Sequence, residues 1–401
     1  MKIKLTNIGQ LATYNSLSRT VEKTPRVEII IEAGKIIDIG TSLPAGDEQI
    51  DAQGKLVTPG FVDPHTHPVF AHTREKEFEM RAAGKTYREI AEEGGGIKAS
   101  VKALWEMDEN ELEKRVTHRL EKFLRLGTTT VEAKSGYGLS IESELKSLRV
   151  LKKSADLVPL DVIPTFLGAH DFPEEYEDRP DEYVSLICEK MIPAVAKQGI
   201  AKFCDVFCEH GWYSVKQSRK ILKTAKSFGM NIRLHADEFE DSGAAGLAAE
   251  LNAVSADHLM AVSDEGIKSL AEASVVAILL PGTTFFLGQT TYAPARRMID
   301  KGVEVALATD FNPGSSMTQS MPLMMTLACL YLRMTVEEAF SAATYFAAKS
   351  LRLEDKIGSI EIGKQADFVI WDLTDLSQIP YWYGGNNVMN VIKNGNLIVF
   401  N

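Results

Sequence analysis

Two histidines one residue apart, His65 and His67, end the apolar run Pro59-Gly60-Phe61-Val62-Asp63-Pro64-His65-Thr66-His67. Side chains two apart on a strand point to the same side, so both imidazoles can grip one ion through neutral ring nitrogens. Alone, such a pair is equally well a hydrogen-bonded pair in the core. Two more residues tip the balance toward a metal: His235, in Leu234-His235-Ala236-Asp237-Glu238, and Asp310, in Ala308-Thr309-Asp310. Together they would complete a site of three nitrogens and one carboxylate, with a position left for water. That is a donor set for metal-assisted hydrolysis, and Zn²⁺ and Fe both suit it.

Such residues need a scaffold that brings distant stretches to one point. Eight short apolar runs ending in polar residues occupy 57–67, 128–137, 161–170, 201–210, 230–238, 253–258, 275–281 and 304–312. Longer stretches separate them, and apolar residues at three- and four-residue spacing predict helices over 109–126, 141–154, 215–228 and 336–351. Alternation of this kind, repeated eight times, predicts an α/β fold with a (β/α)₈ TIM-type barrel. No Gly-x-Gly-x-x-Gly opens the first helix, which removes the main support for a dinucleotide-binding sheet. In a barrel the reactive residues sit at the C-terminal strand ends, and six of the eight histidines fall at predicted strand ends; His72 and His118 do not.

Both chain ends alternate like antiparallel strands, at 27–31 and 36–39 around the turn Ala33-Gly34-Lys35, and at 366–371 and 391–400 with Asn394-Gly395 as a tight turn. Neither end is apolar enough to fold alone. The expectation is a small discontinuous β-sandwich domain formed by 1–58 and 352–401, flanking a barrel over 59–351.

Composition narrows the function classes. The 401 residues carry 55 acidic against 44 basic side chains, a formal charge of −11, and no long basic stretch, which argues against nucleic acid as a partner. Charge interrupts the N-terminus before an apolar leader develops and no later run suits a bilayer, so no membrane association and a cytoplasmic location are expected. Four cysteines, Cys188, Cys204, Cys208 and Cys329, read as reduced thiols.

The chain resembles the amidohydrolase superfamily, and within it the imidazolonepropionase family. The stretches that carry the resemblance are "PGFVDPHTH", "KSGYGL" (134–139), "TFLGAH" (165–170), "HADEF" (235–239), "SADHL" (255–259), "PGTTFFLG" (281–288) and "ATDFNPGSS" (308–316). "GSIEIGKQADFVIWD" (358–372) is common to many amidohydrolases and fixes only the superfamily. The resemblance runs from about Val27 to the C-terminus. It implies hydrolysis of a cyclic amide bond, the ring opening of 4-imidazolone-5-propanoate to N-formimidoyl-L-glutamate, with one Zn²⁺ or Fe ion per chain on His65, His67, His235 and Asp310. It further implies that Asp310 takes a proton from water and returns it to the departing nitrogen, and that His258 polarises the carbonyl or orients the water. Glu238 is placed to bond a ring N–H or the attacking water. An anionic substrate calls for a local cation, Arg74, with Arg81 and Arg88 as positional rivals. Tyr137 and His170 would contact the tail or the flat ring, and Asn312, Gly314 and Ser315 would bond it from the last loop. A homodimer is also implied.

Other features are assigned bland roles. Lys134 reads as a charge-balancing lysine rather than a carbamylated metal bridge, because the family's site is mononuclear. Cys204-x₃-Cys208-x-His210 has no clear fourth ligand and reads as core cysteines. Gly94-Gly95-Gly96 lacks a following Lys-Ser/Thr and reads as a loop at the substrate entrance. His72 stands where the family tends to have a small residue. Two rivals share the residues: a nucleobase or triazine-type deaminase, which would not need Arg74, Tyr137 and His170 together, and a non-catalytic scaffold, which would have dispensed with the ligands.

Overall fold

Eight parallel strands form one sheet in chain order: Phe61–Asp63, Thr128–Lys134, Asp161–Ala169, Phe203–Cys208, Asn231–Ala236, Ser255–His258, Val276–Leu279 and Val305–Leu307. The computed structural model describes residues 1–85, 89 and 95–399. Each strand lies inside one of the eight apolar runs. The sheet closes just beyond the ends of its first and eighth strands, where Thr66 bridges Phe311 in parallel. There Asp310 N donates to His65 O (3.1 Å) and His67 N to Phe311 O (2.8 Å). Asp63 reinforces this seam by accepting from Thr309 N (3.1 Å) and Thr309 Oγ1 (2.5 Å). The residues that complete the barrel are therefore the candidate ligands themselves.

Helices form where caps and an apolar face coincide. Glu109–Arg125 starts at Asp108, whose carboxylate accepts from Asn110 N and Glu111 N, and its buried face carries Leu112, Val116, Leu120 and Phe123. Ile141–Leu157 is capped by Ser140, and Val215–Ser227 by a reciprocal Ser214–Gln217 capping box. The helix predicted over 336–351 is instead two, Val336–Ala343 and Tyr345–Lys349, broken at Thr344 (φ −130°, ψ −85°). The Thr344 hydroxyl donates to Phe340 O (2.7 Å), taking the carbonyl that its own backbone N–H would use in a continuous helix.

The chain ends meet as expected. A six-stranded sheet runs in the order Asn396–Ile398, Val388–Lys393, Phe368–Trp371, Leu56–Pro59, Gln10–Asn15, Thr20–Pro25. A four-stranded sheet runs Lys35–Gly40, Glu28–Glu32, Lys2–Thr6, Glu48–Asp51. Leu5, Ile29, Ile31, Val57, Phe368 and Ile392 belong to one buried cluster that joins the two sheets. Asn394 (φ 50°) and Gly395 (φ 78°) make the tight turn with both residues left-handed.

Gly60 separates Leu56–Pro59 in the six-stranded sheet from Phe61–Asp63 in the barrel, and its N–H donates to Asp367 O (3.0 Å). A Cβ there would lie 2.2 Å from Thr129 Oγ1 and 2.3 Å from Thr129 Cγ2, on the neighbouring barrel strand. Gly60→Ala is therefore expected to destabilise the protein by about 1–3 kcal/mol, read as a lowered thermal midpoint. An unchanged midpoint would show that the two strands separate at no cost.

Candidate functional site

The strand ends gather the predicted donors. His65 Nε2 and His67 Nε2 lie 3.2 Å apart, and Asp310 Oδ1 is 3.5 Å from the first and 3.4 Å from the second. Two overlapping groups of donor atoms lie within 4.8 Å of one another: His65, His67 and Asp310, and His65, His235 and His258. His65 is common to both. All five side chains are buried.

The second nitrogen of two rings is fixed from behind. His65 Nδ1 is 2.6 Å from Asp257 Oδ2, and His235 Nδ1 is 3.1 Å from Asp205 Oδ1. A carboxylate at Nδ1 requires the proton there, which leaves the Nε2 lone pair facing inward, as a metal ligand must. Burial, with Lys134 and the neighbouring imidazoles, holds His65 well below its ordinary range; burial and His170 do the same for His67. Neutral imidazole is the ligating form. Asp310 divides its oxygens, with Oδ1 toward the histidines and Oδ2 accepting from Thr283 Oγ1 (2.6 Å).

Beneath the donors lies a layer of fully buried charge. Lys134 Nζ sits between Glu132 Oε1 (2.8 Å) and Asp205 Oδ2 (3.1 Å); Arg233 reaches Asp257 Oδ2 (3.0 Å), Pro64 O (2.7 Å) and Glu132 Oε1 (3.5 Å). Three carboxylates against two cations leave the layer one negative charge in excess, which favours a cation above it. Burial alone would raise Asp205, yet His235 and Lys134 hold it well below the usual carboxylate range. The donor set and this charge both fit a metal ion held by His65, His67, His235 and Asp310. Lys134, engaged on both sides, has the charge-balancing geometry.

His258 follows the sixth strand in a left-handed conformation (φ 79°), and Asp310 does so after the eighth (φ 52°). The Nδ1 of His258 is 3.5 Å from Glu238 Oε2, and neither of its ring nitrogens has a hydrogen-bond partner. Burial, then Asp310 and Glu209, push the Glu238 acid well above its ordinary value, so it tends to keep its proton.

Above these residues opens a cavity of about 680 Å³ whose lining contains Arg74, Tyr137, His170, Glu238, Asn312, Gly314 and Ser315, every residue expected to contact substrate. Arg74 makes a bidentate pair with Glu77 (Nε–Oε1 2.8 Å, Nη2–Oε2 2.6 Å), and a Cβ on Gly314 would come within 2.6 Å of its Nη1. Glycine at 314 is what lets the guanidinium reach the mouth. The His170 ring stacks on His67 at 5.2 Å, its Nδ1 is 2.9 Å from Gly136 O, and burial pushes it down to about 4. Tyr137 lies edge-on to His170 at 5.4 Å, in a loop held by buried Glu144, which accepts from the N–H groups of Gly136, Gly138 and Leu139.

Asn312 lines the cavity while it braces the last loop. Its amide is turned into its own loop, accepting from Gly314 N and Ser315 N (both 2.8 Å) and donating to Asp310 O (2.7 Å). It shapes the loop. His72 is exposed, with Nδ1 3.3 Å from Arg115 Nη1. Arg81 lines the cavity; Arg88 and Gly94 lie outside the described residues, and Gly96 N donates to Glu77 Oε1 (3.0 Å). Cys204 and Cys208 are buried whereas His210 is exposed at the rim, and among the described residues they do not gather into a metal-holding group. Sequence reasoning missed the charged layer, Thr283, Glu144, and the cavity residues Glu209, Trp212 and Phe239. The layer had a signal: charged residues at every second position in apolar strands, as in Glu132-Ala133-Lys134 and Arg233-Leu234-His235.

Burial, relieved by Thr283 and His235, raises Asp310 to about 6. Protonation weakens a carboxylate as a ligand, and a bound cation competes with that proton. Metal content is therefore expected to hold above pH 6 and to fall as pH drops below it, measured by elemental analysis after dialysis at stepped pH. Asp257→Asn should weaken metal retention by about 10–100-fold, since an uncharged amide that can turn either its oxygen or its NH2 to Nδ1 no longer fixes the His65 tautomer.

Comparison with known proteins agrees with this geometry. A family model described as "Amidohydrolase family" matches residues 56–398. The imidazolonepropionase of Geobacillus kaustophilus (strain HTA426) is 50% identical over 378 residues, covering 92% of this chain and 89% of the relative. That of Bacillus velezensis (strain DSM 23117 / BGSC 10A6 / LMG 26770 / FZB42) is 46% identical over 406 residues, covering 98% and 96%. Among solved structures, an atrazine chlorohydrolase from Arthrobacter aurescens TC1 complexed with zinc superposes with a TM-score of 0.76 at 18% identity, covering 100% of this chain and 95% of that one. An adenosine deaminase from Xanthomonas campestris with bound zinc gives 0.75 at 19%, covering 100% and 94%. These two show the shared fold. Sequence identity near one half along almost the whole chain says more: the chain belongs to the amidohydrolase family, in its imidazolonepropionase branch.

Proposed function

We propose that the chain opens the ring of 4-imidazolone-5-propanoate by hydrolysis to N-formimidoyl-L-glutamate, with one Zn²⁺ or Fe ion held by His65, His67, His235 and Asp310. The observation that carries this reading is the meeting of His67, His235 and Asp310 with Arg74, Tyr137 and His170 on one cavity, with His65 buried beside them. A deaminase on the same ligands has no use for Arg74, Tyr137 and His170 together. In this reading the protein is a cytoplasmic homodimer, with 59–351 as the barrel and 1–58 joined to 352–401 as the small β domain. Among the described residues, no helix is long and apolar enough to cross a membrane.

When bound, the ion polarises the ring carbonyl and brings the pKa of a water near ~7. The chain's own groups do the rest. Asp310, its Oδ2 held by Thr283, takes the water proton on Oδ1 and returns it to the ring nitrogen as the carbon–nitrogen bond breaks. His258, with both nitrogens unpartnered, faces the carbonyl oxygen or the water. Glu238, which keeps its proton, donates to an unprotonated ring nitrogen. Arg74, oriented by Glu77, binds the propionate, with Tyr137 and His170 flanking the tail and Ser315 closing the eighth-strand side.

Metal-replete protein mixed with enzymatically generated imidazolonepropionate should abolish the substrate's ultraviolet absorbance far faster than buffer does. No loss above the buffer rate, with ammonia released from a nucleobase instead, would overturn the reading. Arg74→Ala should lower kcat/KM by about 2–3 kcal/mol of charge-assisted binding. Unaltered kinetics would remove Arg74 from the site.

A further inference from the structure

The cavity is charged differently at its two ends. Arg74 and Gly314 follow the first and eighth strands, which meet at the seam, whereas Glu209 and Trp212 follow the fourth and Glu238 and Phe239 the fifth. In a closed eight-stranded barrel those pairs stand across the mouth from one another. One end thus carries Arg74, Arg81 and Lys85 against Glu77; the other carries Glu209 and Glu240.

The acidic end is also aromatic. Trp212 stacks on Phe239 at 5.6 Å and 29°, and Phe207 lies 4.9 Å from Trp212. Glu209 is 2% exposed yet lines the cavity, accepting from His210 N on Oε1 (2.8 Å) and Phe239 N on Oε2 (2.9 Å). Those bonds use two of a carboxylate's roughly four acceptor positions. Among the described residues no lysine, arginine or histidine makes an ion pair with it. His258, 3% exposed and with both ring nitrogens unpartnered, lines the same cavity. A buried carboxylate with no counter-cation, beside stacked aromatic faces, is a receptor for a flat organic cation.

Such a cation arises from the reaction proposed above, on which this inference rests. Water's hydroxyl goes to the carbonyl carbon as the bond to the ring nitrogen breaks, and water's remaining proton goes to that nitrogen. The new carboxylic acid then gives its own proton to the two-nitrogen fragment. A singly charged anion with a neutral ring becomes two carboxylates and one amidinium, with total charge unchanged. The freed nitrogen is the ring atom remote from the propionate. With the propionate on Arg74, it swings to the far end of the mouth.

We propose that Glu209, Trp212 and Phe239 form a subsite for the amidinium group of the ring-opened product. Calorimetric titration of metal-replete protein compares N-formimidoyl-L-glutamate with N-formyl-L-glutamate, which keeps both carboxylates and replaces the amidinium by a neutral amide. Wild-type protein should bind the amidinium ligand about tenfold more tightly, and Glu209→Gln and Trp212→Leu should each reduce that preference to about threefold or less. Trp212→Phe should keep it, and glutarate should bind all four proteins alike. Equal wild-type affinity for the two ligands overturns the subsite without need of any variant, as does a full preference retained in both Glu209→Gln and Trp212→Leu. Ring opening without the preference refutes the subsite alone; absence of ring opening in the ultraviolet assay refutes the reaction.

Discussion

Everything at the mouth of this barrel depends on the buried ion network of Glu132, Lys134, Asp205, Arg233 and Asp257. Burying charge is expensive, and breaking one partner of such a pair costs about 3–5 kcal/mol because the other is left uncompensated. A network of this kind is poor value as a source of stability alone. Its geometry explains its presence: Asp257 and Asp205 each bond a cation on one side and a candidate ligand histidine on the other. Lys134 and Arg233 hold the carboxylates in place, the carboxylates fix the imidazole tautomers, and the tautomers aim the lone pairs.

The same economy governs closure of the barrel. The first and eighth strands are only three residues long each, and the bonds that join them lie past their ends, at His65, Thr66, His67, Asp310 and Phe311. Closure and ligand geometry are one set of hydrogen bonds. A shift between these strands would move His65 and His67 relative to Asp310. This makes the barrel seam, with Asp63 and Thr309 behind it, as much a part of the candidate site as the imidazoles.

Periodicity made the eight strands and the helices Glu109–Arg125, Ile141–Leu157 and Val215–Ser227 legible because each needs only a local pattern. The clustering of the candidate donors was legible because strand ends bring residue types together in a way that spacing reveals. Two kinds of feature were not. Thr344 breaks a helix through a side-chain bond that competes with the backbone, and apolar spacing carries no trace of that competition. Glu209, Trp212 and Phe239 meet only because two loops fold over one another, so no regular spacing announces them. The charged layer lies between these cases. Its alternation in strands such as Asn-Ile-Arg-Leu-His-Ala was visible, but an alternating strand is ordinarily read as half exposed, whereas both faces here are buried.

Backbone strain marks the same boundary between scaffold and site. Asp237, His258 and Asp310 all hold left-handed φ values at the ends of the fifth, sixth and eighth strands. Such conformations cost on the order of 1–3 kcal/mol each and persist only where surroundings over-determine them. For Asp237 the over-determination is explicit: its carboxylate accepts from Ser242 N, Ser242 Oγ, Ala244 N and Ala245 N, pinning the turn to the start of the helix Ala244–Glu250. That turn is the link between His235, which faces the metal site, and Glu238, which faces the cavity. Its strain therefore sets how far the Glu238 carboxyl stands from the His235 imidazole, a distance that neither residue controls by itself.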